Sequence, residues 1–170
     1  MHQTISGHNS KLTKDLTDTY TNQQPPKMCN CTGAQANCPL DNRCLEQGII
    51  YQATVTQPNS NMKDTYVGLT ADPFKMRYNN HKKSFKHEKY STETTLSQHL
   101  WTLKRENSQF DISWKIIDRG KSYSPTSKVC QLCTKEKYII IFNPEISSLN
   151  SRNEIGSKCG HKARLLLKNN

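Results

Sequence analysis

Eight side chains in the chain of 170 residues have types and spacings suited to binding a transition metal. Cys29-x-Cys31-x6-Cys38-x5-Cys44 offers four thiolates within sixteen residues, enough to close a tetrahedral zinc site. Cys130-x2-Cys133 has the short bite of a zinc knuckle, and Cys159-x-His161 follows after a loop of 25 residues with two more ligands. Either site would be structural, because four protein ligands leave no position open for water. The competing reading of each set is a group of free or buried thiols. Seven cysteines is an odd number, and no stretch joins a basic start, an apolar run and a small-residue cleavage site. Both observations argue against a secreted disulfide scaffold and for a reducing, intracellular compartment.

A second chemical signal is charge. The formal net charge is +10, with a pI near 9.3, and its distribution is uneven. Residues 73–105 carry eight basic side chains against two acidic ones, whereas residues 1–47 balance four against four. A local excess of this kind favours a polyanion through phosphate contacts and counterion release, nucleic acid above all. Lys82, Lys83, Lys86 and Lys89 are the expected non-specific phosphate contacts, with a solvated lysine face as the alternative. No apolar run approaches the roughly 18 residues needed to cross a bilayer, so no membrane partner is expected.

Positioning these groups requires a fold, and the composition says how it would be held. Hydrophobic residues are 33 % of the chain and mean hydropathy is −0.85, low for a domain that folds on its core alone. Bound zinc is the expected supplement. Residues 1–28 have few apolar side chains and end in QQPP, which predicts a disordered tail or linker. Residues 29–47 form the cysteine-rich segment, and 48–170 hold the pattern of a folded domain. IIYQATVT (49–56) and TYVGL (65–69) predict an antiparallel hairpin. Asp72-Pro73 predicts the N-cap and first turn of a helix through Phe85, with Phe74, Tyr78 and Phe85 on one stripe and Arg77 and His81 four residues apart. Leu96, Leu100 and Leu103 mark a second helix from about Thr95 to Arg105. FDISWKIID (110–118) reads as a third strand with Phe110, Ile112, Trp114 and Ile116 on one face. A third helix is expected over about Cys130 to Phe142, ended by Asn143-Pro144. A short apolar run lies at Leu165 to Leu167. The element order implies an α+β fold with a small three-stranded antiparallel sheet flanked by helices.

Taken together, Ile49-Ile50-Tyr51, Tyr66-Val67-Gly68, Arg77 and His81 resemble the GIY-YIG nuclease superfamily. That family has a GIY strand, a YIG strand, an Arg and commonly a His on the first helix, a metal-binding Glu on a later helix and an Asn near the end. Gly48 is displaced by one position here, and fourteen residues separate the two tyrosines. Glu136 in LCTKEKYIII looks like the metal ligand, and Asn150 in SSLNSR like the terminal Asn. A closer likeness covers nearly everything from Cys29 to Leu167. CNC, CPL, IIYQATV, TYVGLT, FKMRYNNHKKSF, TTLSQHLWTLK, ISWKI, CQLCTKEKYII, LNSRNEI and SKCGHKARLLL resemble, in order, the endonuclease domain of Penelope-like retroelements. The chain departs from that family at Asn42, usually Gly, and in the Ser124 to Val129 loop, where a Gly-Arg-rich stretch is commoner.

The resemblance implies a metal-dependent DNA endonuclease that hydrolyses phosphodiesters, nicking in character, in the nucleus. Such chemistry needs a proton acceptor, positive charge for the phosphorane-like transition state and a Lewis acid near the leaving oxygen. The resemblance assigns Tyr51 as general base, provided neighbours lower its pKa from about 10. Tyr66 would position water or phosphate, Arg77 would grip the phosphate, and His81 would join the tyrosine network. Glu136 would hold one Mg²⁺ or Mn²⁺, and Asn150 would support the site. One or two Zn²⁺ ions would be structural, and DNA the partner, with a reverse transcriptase joining it in a full-length element. Singly, each residue has a plainer reading: packing tyrosines, a surface Arg, a satisfied histidine, an exposed helix carboxylate. The alternative function is a zinc-stabilised nucleic-acid-binding module that has lost catalysis.

Overall fold

The computed structural model describes residues 28–31, 37–58, 63–126, 128–150 and 159–161. The expectations for residues 1–27 and for Leu165 to Leu167 lie outside them. Three strands, β1 (Ile49–Thr56), β2 (Lys63–Thr70) and β3 (Asp111–Arg119), form one antiparallel sheet in the order β2-β1-β3. Helices α1 (Phe74–Lys86) and α2 (Thr95–Arg105) lie between β2 and β3 in sequence, and α3 (Gln131–Phe142) follows β3. The fold is α+β with a three-stranded antiparallel sheet and three helices, as the element order implied.

Alternation along the central strand explains the layers. Ile49, Tyr51, Ala53 and Val55 point to one face, where Tyr66, Phe74, Leu96, Leu100 and Leu103 complete the main core. Ile50 points to the other face and meets Val67, Leu132 and Ile140. β1 is therefore covered on both faces, with α1 and α2 on one and α3 on the other. The stripe of Phe74, Tyr78 and Phe85 packs on the main core, as do Phe110, Ile112, Trp114 and Ile116 of the third-strand region.

Two local expectations need correction. Asp72 does not cap α1: the cap is Pro73, and no side chain accepts a hydrogen bond there. β2 begins at Lys63 rather than Thr65, because cross-strand pairing with β1 extends to Thr56↔Lys63. The sequence reading also lacked the cap of α2. Thr94 and Ser97 form a reciprocal pair, with Ser97 N–H donating to Thr94 Oγ1 at 3.1 Å and Thr94 N–H to Ser97 Oγ at 3.0 Å. A serine fills the place that Glu or Gln usually takes.

Glycine and asparagine account for the backbone around the cysteine segment. Gly48 has φ of +63°, and a Cβ there would stand 2.8 Å from the carbonyl oxygen of Gly120, so glycine is required just before β1. Asn42 has φ of +67°. Asparagine is among the few residues other than glycine that tolerate that region.

Candidate active site and metal centres

The hydroxyl of Tyr51 is the point on which β1 and α1 converge. Arg77 Nε donates to it at 3.0 Å, and it lies 2.8 Å from His81 Nε2. Arg77 and His81 are four residues apart on α1, so one helix face brings both to one oxygen. Tyr66 sits alongside on β2, its ring 6.0 Å from that of His81. Tyr51 pairs with Gly68 across the strands, and its phenol end lies close against that glycine. A Cβ on Gly68 would come within 2.5 Å of the Tyr51 oxygen and 2.7 Å of the ring carbon bearing it. Glycine inside a strand commonly marks such a close approach. Gly68→Ala should therefore displace the Tyr51 phenol and destabilise the fold by about 1–3 kcal/mol, read from the urea midpoint; wild-type stability would mean that the phenol swings aside freely.

The electrostatics divide the roles. Burial, and then the charge of Arg77, lower the pKa of His81 to about 3, so its ring is neutral at physiological pH. Arg77 is itself half-buried, but the phenols of Tyr51 and Tyr66 outweigh the burial and hold it protonated. Tyr51 is wholly buried, and burial pushes its pKa above the usual tyrosine value. Arg77 pulls the other way, while the negative charge of Glu136 adds to the rise. The condition on which the general-base role depends, that neighbours lower the Tyr51 pKa, is opposed by this burial. A phenol held in its neutral form can still donate its proton to Nε2 of a neutral imidazole, and the two atoms lie at hydrogen-bond distance, 2.8 Å.

Glu136 stands on the first half of α3, half-buried, and its charge reaches Tyr51 from there. Asn150 acts through the backbone of β2. Its Oδ1 accepts from Val67 N–H at 2.7 Å and its Nδ2 donates to the Val67 carbonyl at 2.8 Å. Leu149 N–H donates to the Thr65 carbonyl at 2.8 Å, so the segment covers the open edge of β2 around Tyr66. Arg77 opens on a cleft of about 310 Å³ whose walls include Asp72, Met76 and Asn80 on one side and Gly160 and His161 on another. Asn80 gave no signal in the sequence and Asp72 signalled only a helix start, since their place in the cleft depends on the tertiary meeting of α1 with residues 159–161.

Lys82, Lys83, Lys86 and Lys89 are all exposed. Lys82, Lys83 and Lys86 border a shallow groove with Phe85 and His87. Lys83 and Lys89 both approach the Tyr90 ring, at 4.1 and 5.0 Å from its centroid. Lys82, Lys83 and Lys86 occupy exposed positions of α1, whose buried side carries His81, and Lys89 lies beyond the helix in the 3-10 turn Glu88–Tyr90.

Both cysteine sets assemble. Cys29, Cys31, Cys38 and Cys44 have ligand atoms within 4.8 Å of one another, as do Cys130, Cys133, Cys159 and His161. Tetrahedral Zn–S bonds of about 2.3 Å give S–S edges of about 3.8 Å, and replacing one sulfur by nitrogen gives about 3.5 Å. The Cys44 sulfur lies 3.5 Å from Cys29 and 3.7 Å from Cys31. In the second group Cys133 lies 3.4 Å from both the Cys159 sulfur and His161 Nδ1, and Cys130 lies 3.3 Å from that nitrogen. Both groups could hold structural zinc. Burial pushes Cys44 up to about 12, with its sulfur neighbours adding to the rise. Burial also acts on Cys38, but the backbone amides of Leu40 and Cys44 and the neighbouring thiols overcome it, drawing Cys38 down to about 7. A divalent cation would relieve the mutual repulsion of such thiolates and release their protons.

Comparison with protein-family models, curated proteins and solved structures returned no match.

Proposed function

We propose that the chain is a metal-dependent DNA endonuclease of the GIY-YIG type, akin to the endonuclease domain of Penelope-like retroelements, that nicks DNA by phosphodiester hydrolysis. One observation carries this reading: the Tyr51 hydroxyl is held between a protonated Arg77 and a neutral His81, with Tyr66 beside it and the charge of Glu136 bearing on it. A packing tyrosine needs none of this. Glu136 would anchor one Mg²⁺ or Mn²⁺, and such an ion, when bound, supplies Lewis acidity at the leaving oxygen. A single carboxylate suits it, since Mg²⁺ keeps several waters and takes substrate phosphate oxygens rather than a full protein cage.

The protein's own part follows from the network. Tyr51 accepts a hydrogen bond from Arg77, whose charge favours the phenolate against the burial that opposes it. Its proton must leave to solvent before it acts as base, because His81, with its pKa lowered to about 3, does not hold that proton. The oxygen can then take a proton from an attacking water. Arg77, facing the cleft, offers its remaining N–H groups to the phosphate, where its charge offsets the negative charge that develops. Tyr66 orients the water or a phosphate oxygen. Lys82, Lys83, Lys86 and Lys89 hold the backbone of DNA without reading sequence.

The test is supercoiled plasmid incubated with pure protein and Mg²⁺ or Mn²⁺. Wild type should nick only with a divalent ion, and Glu136→Ala should lose cleavage while keeping DNA affinity, because the lysines remain. Equal cleavage by the variant would remove Glu136 from the site. A further expected result concerns those lysines: replacing Lys82, Lys83 and Lys86 together with Ala should weaken binding to all sequences. The log-log salt slope should flatten by about one unit per lost contact. An unchanged slope would assign them to the solvated face.

A second reading, a nucleic-acid-binding module without catalysis, is favoured by the complete burial of Tyr51. It predicts that wild type binds plasmid and leaves it supercoiled.

A further inference from the structure

α1 carries Arg77 and His81, yet its own sequence leaves its start uncapped. Pro73 offers no side-chain acceptor, and the first turn has no acidic residue. The first amides of a helix need partners from outside it. Phe74 N–H donates to the Glu46 carbonyl at 3.0 Å, and Lys75 N–H to the Cys44 carbonyl at 2.7 Å. The end of the cysteine segment therefore does the capping, with backbone oxygens.

The same segment meets α1 once more. The Lys75 ammonium donates to Asn30 Oδ1 at 2.6 Å. Tyr78 stands one turn along α1. Its ring packs 6.0 Å from that of Phe74 and 5.7 Å from Trp114, and Trp114 in turn lies 5.2 Å from His81 and 5.8 Å from Tyr51. Cys44 is wholly buried, and Leu40 joins the main core. A line of packed rings thus runs along α1 and β3 from Tyr78 through Trp114 to Tyr51 and His81.

We propose that the Cys29–Cys44 segment is the positioning clamp of α1: with its four cysteines gathered on one metal ion, the carbonyls of Cys44 and Glu46 set where the helix starts and thereby place Arg77 and His81 on the Tyr51 oxygen. A helix moves nearly as a rod, so a displaced start displaces Arg77, two residues beyond Lys75, and His81, one turn farther. Hydrogen bonds of 3.0 and 2.8 Å do not survive an ångström of such movement. The clamp rests on the endonuclease reading only for its effect on cleavage; the placement of α1 does not.

The experiment uses the full chain and follows amide hydrogen exchange at Phe74 and Lys75, the indole N–H resonance of Trp114, and zinc content. Cys38→Ser should lose one zinc, speed exchange at both amides by about tenfold or more, and shift the Trp114 resonance. Cys38→His, which can still ligate zinc, should restore all three. Cys159→Ser, which breaks the other group, should leave the two amides protected. Should Cys38→Ser not fold, stepwise removal of metal from the Cys38→His chain with EDTA gives the same readout. Unchanged exchange at Phe74 and Lys75 after that zinc is lost overturns the clamp. Faster exchange in a chain whose wild type never nicks DNA keeps the clamp and removes the endonuclease reading.

Discussion

Tyr51→Phe should lower the rate of plasmid nicking by roughly 10²- to 10⁴-fold, the range typical of a removed acid–base group, with DNA affinity unchanged. The variant keeps the ring, and with it the contacts to Phe74, His81 and Trp114 that fill the main core. It loses only the oxygen that lies 3.0 Å from Arg77 Nε and 2.8 Å from His81 Nε2. Two buried polar groups are then each short of a partner, so the fold should also lose about 1–3 kcal/mol. Single-turnover nicking and a urea titration separate the two effects. Wild-type nicking by Tyr51→Phe would make the phenol a packing residue and the network a structural one.

Cys133→Ser should take one zinc from a chain that holds about two, one in each four-ligand group, as elemental analysis would read it. It should also abolish most nicking. Cys133 stands in the first turn of α3, three residues before Glu136, and its sulfur lies 3.4 Å from both Cys159 and His161. Breaking that group frees the start of α3 from residues 159–161, and Gly160 and His161 also wall the cleft of Arg77. One ligand therefore supports the carboxylate and the phosphate path together. Structural zinc contributes on the order of 10 kcal/mol per site in small peptides, so the variant should melt at a much lower temperature. Protein purified without chelator that contains no zinc yet unfolds cooperatively would show both groups to be reduced thiols.

What the sequence could announce was whatever depends on period and spacing. The pattern of β1 foretold a strand, the leucines foretold α2, and ligand spacing foretold two sets of four that do come together. The four-residue interval between Arg77 and His81 was enough to place them on one face. Long-range features were not legible. That Gly68 is a bed for the Tyr51 ring follows from cross-strand register, and that Asn150 clips the backbone of Val67 follows from a chain return across 83 positions. The cap of α1 was misread for the same reason. Asp72 beside Pro73 satisfies the local rule, but the carbonyls of Cys44 and Glu46 reach the helix start from another part of the chain. The pKa of Tyr51, left as a condition in the sequence, could not be read there because the burial that raises it is a property of the packed core.

The most direct test of the central proposal is a time course of supercoiled plasmid with the wild-type chain, loaded with zinc, in Mg²⁺ or Mn²⁺ and again with EDTA added at the start. Open-circular product that accumulates only with the divalent ion, and that Glu136→Ala fails to produce at equal DNA occupancy, is the result expected. Plasmid that stays supercoiled while fully bound by wild type would contradict it and leave a DNA-binding module in its place.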